Sequence, residues 1–106
     1  MTPMNVDLAT LKAIERHFHE VILSRAADLV DEHSLVLPDL TELLTTDEPT
    51  TWFPVPGMYG GFNYWLEGEG TDVRLIAESW CRVCEGSGQR HIITADGFTL
   101  AEEGFV

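Results

Sequence analysis

Hydrophobic residues in the first third of the chain recur at steps of three and four: Leu8, Leu11, Ile14, Phe18, Val21, Ile22, Ala26 and Leu29. At about 3.6 residues per turn they share one stripe, which predicts a helix over residues 7–31 with that stripe facing a core. Asp7 stands where a carboxylate caps the first turn and suits the helix dipole. Lys12, Arg16, His17, Glu20, Ser24, Asp28 and Asp31 take the opposite, solvated side, with Arg16 and Glu20 spaced to pair across one turn. Pro38 suits the first turn of a second, short helix through Leu40, Leu43 and Leu44, with Asp39 and Glu42 near its start.

From Phe62 onward the period changes to two. Phe62, Tyr64 and Leu66 point one way, and Asn63, Trp65 and Glu67 the other. A turn cluster at residues 67–72 leads into the longest strand candidate, Val73 to about Cys84, and residues 85–89 make a second turn. Residues 90–94 and 98–100 follow as strands around the tight Ala95-Asp96-Gly97 turn, and Gly104-Phe105-Val106 suits a last short edge. Sequential strands joined by short turns form an antiparallel meander most simply. The expected fold is therefore α+β: a long N-terminal helix and a short helix packed on a C-terminal antiparallel sheet of four strands, or five with the tail. A single domain then divides into a helical part (7–45), a connecting loop (45–61) and the sheet (62–106). The loop is expected to cover the sheet, with Trp52 and Phe53 tucked into the core.

Composition fits this picture. A chain of 106 residues, 44% hydrophobic and 23% charged, fills one domain with a core of its own. Charge narrows the partners, because 18 acids against 6 Lys and Arg leave a net −12. Nucleic acid and anionic membrane draw their affinity from cations that this chain lacks, so neither is an expected partner. No apolar run has the length of a membrane span, and residues 1–7 lack a basic start followed by an apolar segment, so a cytoplasmic location is expected.

Within the long strand candidate the odd positions, Val73, Leu75, Ala77, Ser79, Cys81 and Val83, are small and mostly apolar, as a face pressed on a helix requires. The even positions, Arg74, Ile76, Glu78, Trp80, Arg82 and Cys84, differ in kind. Trp65 and Asn63 join that second face from the neighbouring strand, as does Arg90 or His91 according to register. Aromatics ringed by Arg, Glu and Asn have the composition of a recognition surface, and Trp65, Trp80, Arg82, Arg90, Asn63, Trp52 and Tyr59 are its candidate binding residues. The sheet's arginines among its aromatics would offer a local cationic patch to a small acidic ligand. His91, with Glu78 as orienter, is a candidate general base there, and Cys84 a candidate nucleophile.

Cys81-Arg82-Val83-Cys84-Glu85-Gly86-Ser87-Gly88 reads C-x-x-C-x-G-x-G. Over these eight residues the chain resembles one repeat of the cysteine-rich zinc region of J-domain chaperones, and that resemblance implies zinc held by Cys81 and Cys84. Zinc takes four ligands and one repeat supplies two thiolates. His91 is the candidate third ligand, with His17, His19, His33 or a second subunit for the fourth. An extended backbone at residues 81–84 would point the two sulfurs to opposite faces, so the expectation taken forward is a protein without a resident metal. His17 and His19 turn away from each other on a helix, whereas His17 and Glu20 share a face.

The function expected first is that of a small acidic protein-binding module, an antagonist of the immunity-protein or antitoxin kind, that docks on a basic partner. Its acids are spread along the chain, ten against three bases in residues 1–53 and eight against three in residues 54–106. The alternatives are a small-ligand binder or enzyme that uses the Trp and Arg face under the 45–61 loop, and a homo-oligomeric structural or adaptor subunit.

Overall fold

The computed structural model of the protein describes residues 5–33, 36–46, 48–52, 60–81 and 88–105. Helix α1 (Leu8–His33) is followed by a 3-10 helix (Leu40–Thr45) and five strands: β1 (Thr50–Trp52), β2 (Gly60–Glu67), β3 (Arg74–Cys81), β4 (Gly88–Thr94) and β5 (Gly97–Phe105). The strands form one antiparallel sheet in chain order, β1-β2-β3-β4-β5, and the helices pack on one of its faces. This is the α+β meander that the periodicity predicts. No helix among the described residues is long and apolar enough to cross a membrane.

The fifth strand is β1, which lies inside the 45–61 segment expected to be loop; its Thr51 pairs with Asn63 and its Trp52 with Phe62. The tail is not a separate edge either. It continues β5 without a break, past two irregularities that leave Ala101 and Gly104 without partners across β4. Gly104, at φ +84, sits in the left-handed region that such a bulge demands. The 82–84 end of the long strand candidate lies outside the described residues.

Asp7 caps α1 by accepting from the Thr10 N–H at 2.9 Å and from the Thr10 hydroxyl at 2.7 Å. The lead-in to the helix is tied to the β2–β3 turn: Val6 bridges Gly70 in parallel, Asp7 N–H donates to the Gly70 carbonyl, and Gly70 N–H donates to that of Asn5. That turn requires Gly68, since at φ +86 a Cβ would come within 2.7 Å of the Asp72 carbonyl oxygen. Glu20 takes His17 at 3.3 Å rather than Arg16. Leu8, counted in the apolar stripe, is 61% exposed at the first turn, ahead of the point where α1 meets the sheet.

Two α1 side chains reach across to hold the next segment. Glu15 accepts from the Leu40 N–H at 2.8 Å, and His19 Nε2 donates to the Pro38 carbonyl at 2.7 Å. Pro38 therefore precedes the short helix instead of opening it. Asp39 is the cap, accepting from the Thr41 N–H and hydroxyl, and the turn winds as 3-10 rather than α.

The core joins Leu11, Ile14, Phe18, Val21 and Ile22 of α1 to Leu40 and Leu43, to Phe62 and Tyr64 of β2, to Val73, Leu75 and Ala77, and to Ile93 of β4. Phe18, fully buried, meets Phe62 edge-on at 6.1 Å and Tyr64 at 4.9 Å between ring centres. Trp52 packs at the margin of this core, as expected, and its indole N–H donates to the Val36 carbonyl.

Two stability tests follow from this packing. Phe18→Ala should cost about 3–5 kcal/mol in urea denaturation, the range for deleting a large, fully buried ring. Tyr64 gives the second, because burial, helped by the Glu42 carboxylate, pushes its phenol up from 10.0 to about 12. The folded state thus prefers the neutral phenol. The resulting stabilisation is complete below about pH 10 and is lost as pH rises through about 12, worth about 2–3 kcal/mol over that span. Denaturation of wild type and Tyr64→Phe at pH 9 and pH 12 should show this loss in wild type alone.

Candidate functional site

The register settles which side chains share the face turned away from the helices. Residues paired across antiparallel strands project to the same side. One row crosses the whole sheet on the outer face: Thr51, Asn63, Glu78, Arg90 and Glu102. The next row is Trp65, Ile76, Ile92 and Thr99, and the one beyond it pairs Glu67 with Arg74. Gly61 and Trp80 stand opposite each other on the other side of the first row. The face is banded, with an apolar row between two rows of charge pairs.

Each charged row is internally bonded. Arg90 Nε donates to Glu78 at 2.9 Å and its Nη1 to Glu102 at 2.7 Å, so one guanidinium bridges three strands. Its hydrogen bonds and charge attraction to Glu78, and then the charge of Glu102, hold the guanidinium protonated more firmly than usual. At the far side Arg74 Nη2 donates to Glu67 at 3.1 Å, and the other oxygen of Glu67 accepts the Trp65 indole N–H at 3.0 Å. Asn63 accepts from the Thr51 hydroxyl at 2.8 Å. Among the described residues these rows carry three carboxylates and two guanidiniums.

Ile76 is 6% exposed yet does not belong to the core cluster, because its side chain is on the opposite side of the sheet from α1. Trp65 and Ile92 flank it in register, and Trp65 and Trp80 are both half-buried. An aliphatic at the middle of a row is screened from water by such neighbours.

The structure divides the candidates named from sequence. It brings Trp65, Trp80, Asn63, Glu78 and Arg90 onto one face. Trp52 is not with them, since it pairs with Phe62 and turns to the helix side. His91 is also on the helix side, opposite Ala77, with its ring 6.0 Å from that of Phe98. The sheet thus separates His91 from Glu78, and the arrangement of a general base with that orienter is not formed. Arg90 takes the place beside Glu78, which settles the alternative left open by the sequence. Cys81 closes β3 opposite Gly60. Tyr59, Arg82 and Cys84 lie outside the described residues, and with Cys84 so does the C-x-x-C pair. His17 and His19 have different partners, Glu20 and the Pro38 carbonyl. No three His, Cys, Asp or Glu side chains among the described residues gather to hold a metal ion.

Sequence reasoning placed Arg74 on this face but missed its pairing with Glu67, and it missed Ile92 and Glu102 as parts of the face. Ile92 follows from strict alternation once the register is known. Glu102 does not. Counting back from the Ile93–Phe98 pair would put Ala101 opposite Arg90, and only the extra residue at Ala101 turns Glu102 to the outer face. The local cationic patch expected among the aromatics is also revised, because both described sheet arginines already hold carboxylates.

Comparison with protein-family models, with curated proteins and with solved structures finds no significant match for this chain.

The banding makes a quantitative prediction. Ile76→Ala should cost about 2–4 kcal/mol in urea denaturation, as at a packed core position, while Thr99→Ala at the exposed end of the same row should stay within about 0.5 kcal/mol. A cost under about 1 kcal/mol for Ile76→Ala would mean that the apolar row is not packed.

Proposed function

We propose that the protein is a small acidic protein-binding module that docks on a basic partner through the outer face of its sheet, as an antagonist of the immunity-protein or antitoxin kind would. The observation that carries this reading is the band of Trp65, Ile76 and Ile92 between two charge-paired rows, beside Trp80, on a chain of net charge −12. Protein interfaces combine an apolar centre rich in aromatics with a polar rim, and a few such anchors supply most of the affinity.

Charge selects the partner. Arg74 and Arg90 are engaged by Glu67, Glu78 and Glu102, so an incoming anion would have to displace a carboxylate that is already in place. A cationic surface meets no such competition, and the overall negative field speeds its approach while turning acidic proteins away. The same field opposes pairing of two copies. These arguments favour a basic protein over the small acidic ligand and over the homo-oligomer.

The test compares proteins retained from native lysate by immobilised wild type, Trp65→Asp, Ile92→Asp and the control Val36→Asp, which alters a residue that is 85% exposed and apart from this face. Circular dichroism checks that each is folded. The expected result is a partner of pI above about 8 that is held by wild type and Val36→Asp, lost from both outer-face variants, and released by salt. An acidic partner, equal retention by all four, or no retained protein would each refute the reading.

A further inference from the structure

The last strand of the sheet suggests how such a partner is held. β5 ends the sheet, and among the described residues only β4 pairs with it. An edge strand offers a row of backbone N–H and C=O groups to any extended chain, and proteins guard such edges with charges and bulges. β5 is guarded along one half only. From Ala101 onward it carries two bulges and the charges of Glu102 and Glu103. From Gly97 to Leu100 its register with β4 is regular and no side chain is charged.

That open half is also apolar. Phe98 and Leu100 alternate along it, pair with Ile93 and His91, and are 42% and 47% exposed. A regular, uncharged edge with exposed large side chains is the arrangement that strand addition uses, in which backbone bonds give affinity and alternate side chains give selectivity.

Charge identifies the strand that would fit. After Arg90 the sequence contains Asp96, Glu102 and Glu103 and no Lys or Arg. Glu102 is bound by Arg90, while Asp96 and Glu103 form no ion pair among the described residues. Among the described residues, Asp96 is the only ionisable group lining an open concavity of about 250 Å³ at the β4–β5 turn, where Ile92, Thr94, Phe98 and Thr99 also contribute. Acids therefore bracket the apolar stretch, with a recess beside the first of them. A second copy would set these acids against their own kind.

We infer that residues 97–100 of β5 accept an added strand from a basic protein, an extended segment with an apolar centre and Lys or Arg at its ends. This rests on the proposed function and specifies the part of the partner that is recognised.

The probe is a capped peptide of alternating valine and threonine flanked on each side by paired lysines, titrated into the full chain and followed by amide hydrogen exchange. Saturable binding with slowed exchange at residues 97–100 is expected. Affinity should fall roughly tenfold or more when a central residue of the peptide is replaced by proline, which lacks the N–H. Glutamates in place of the flanking lysines, or Leu100→Lys in the protein, should weaken binding as much, and Asp96→Asn severalfold. Equal binding of the proline peptide would reduce the effect to charge alone, and protection confined to β1–β3 would place it elsewhere; either overturns the inference. A doubled mass with residues 97–100 protected before peptide is added would make a second copy the occupant, which overturns it as well. If the outer-face variants lose a basic partner but the peptide fails at β5, strand addition alone falls; if no basic partner is retained at all, the proposed function falls with it.

Discussion

Seating α1 on the sheet requires β3 to be narrow on one side. Leu75, Ala77 and Ser79 line the helix-facing side of this central strand, each 2% exposed or less. Ala77 and Ser79 there are small and leave room for α1, while Phe62 and Tyr64 on the neighbouring strand supply the rings that Phe18 meets. Close packing of this kind has little slack, so a larger residue at Ala77 would have to lift the helix. The rest of the core gathers around that contact, and Glu15 and His19 draw the 3-10 helix down beside it through the Leu40 N–H and the Pro38 carbonyl.

Because β3 alternates, its bulk has to go to the other side. Arg74, Ile76, Glu78 and Trp80 all project onto the outer face, where no described helix covers them. Arg74 and Glu78 are held there by bonds to the neighbouring strands. Charged groups link strand to strand, from Glu67 to Arg74 and from Glu78 through Arg90 to Glu102, and the apolar row lies between these links. Partly exposed ion pairs add little stability. Their larger effect here is to engage the described cations of the sheet, Arg74 and Arg90, with carboxylates.

Several features of this arrangement were legible along the chain. The helix was marked by its apolar stripe and by Asp7, and the two-sided nature of β3 by its small odd and large even positions. Trp65, Trp80, Asn63 and Glu78 were identifiable as one face from alternation alone. Other features were hidden for physical reasons. β1 is three residues long and polar at two of them, Thr50 and Thr51, so its hydrophobic pattern is too short to register. Trp52 stands next in sequence to Thr51 and therefore turns to the opposite face, away from the other tryptophans with which composition alone would group it.

By itself the sequence determined the fold class, the helix-facing side of β3 and the net charge of −12. These properties are local or summed: a period can be read within one element, and charge adds without regard to position. Tertiary structure decided what depends on register between strands. It placed Arg90 rather than His91 beside Glu78, and through the bulge at Ala101 it brought Glu102 to the same guanidinium. A shift of one residue exchanges the faces of a strand, and that shift is set by backbone hydrogen bonds between segments far apart in the chain. For this reason Arg74 and Arg90, which in sequence resemble a site for acidic ligands, in the fold are ion-paired residues on either side of an apolar band.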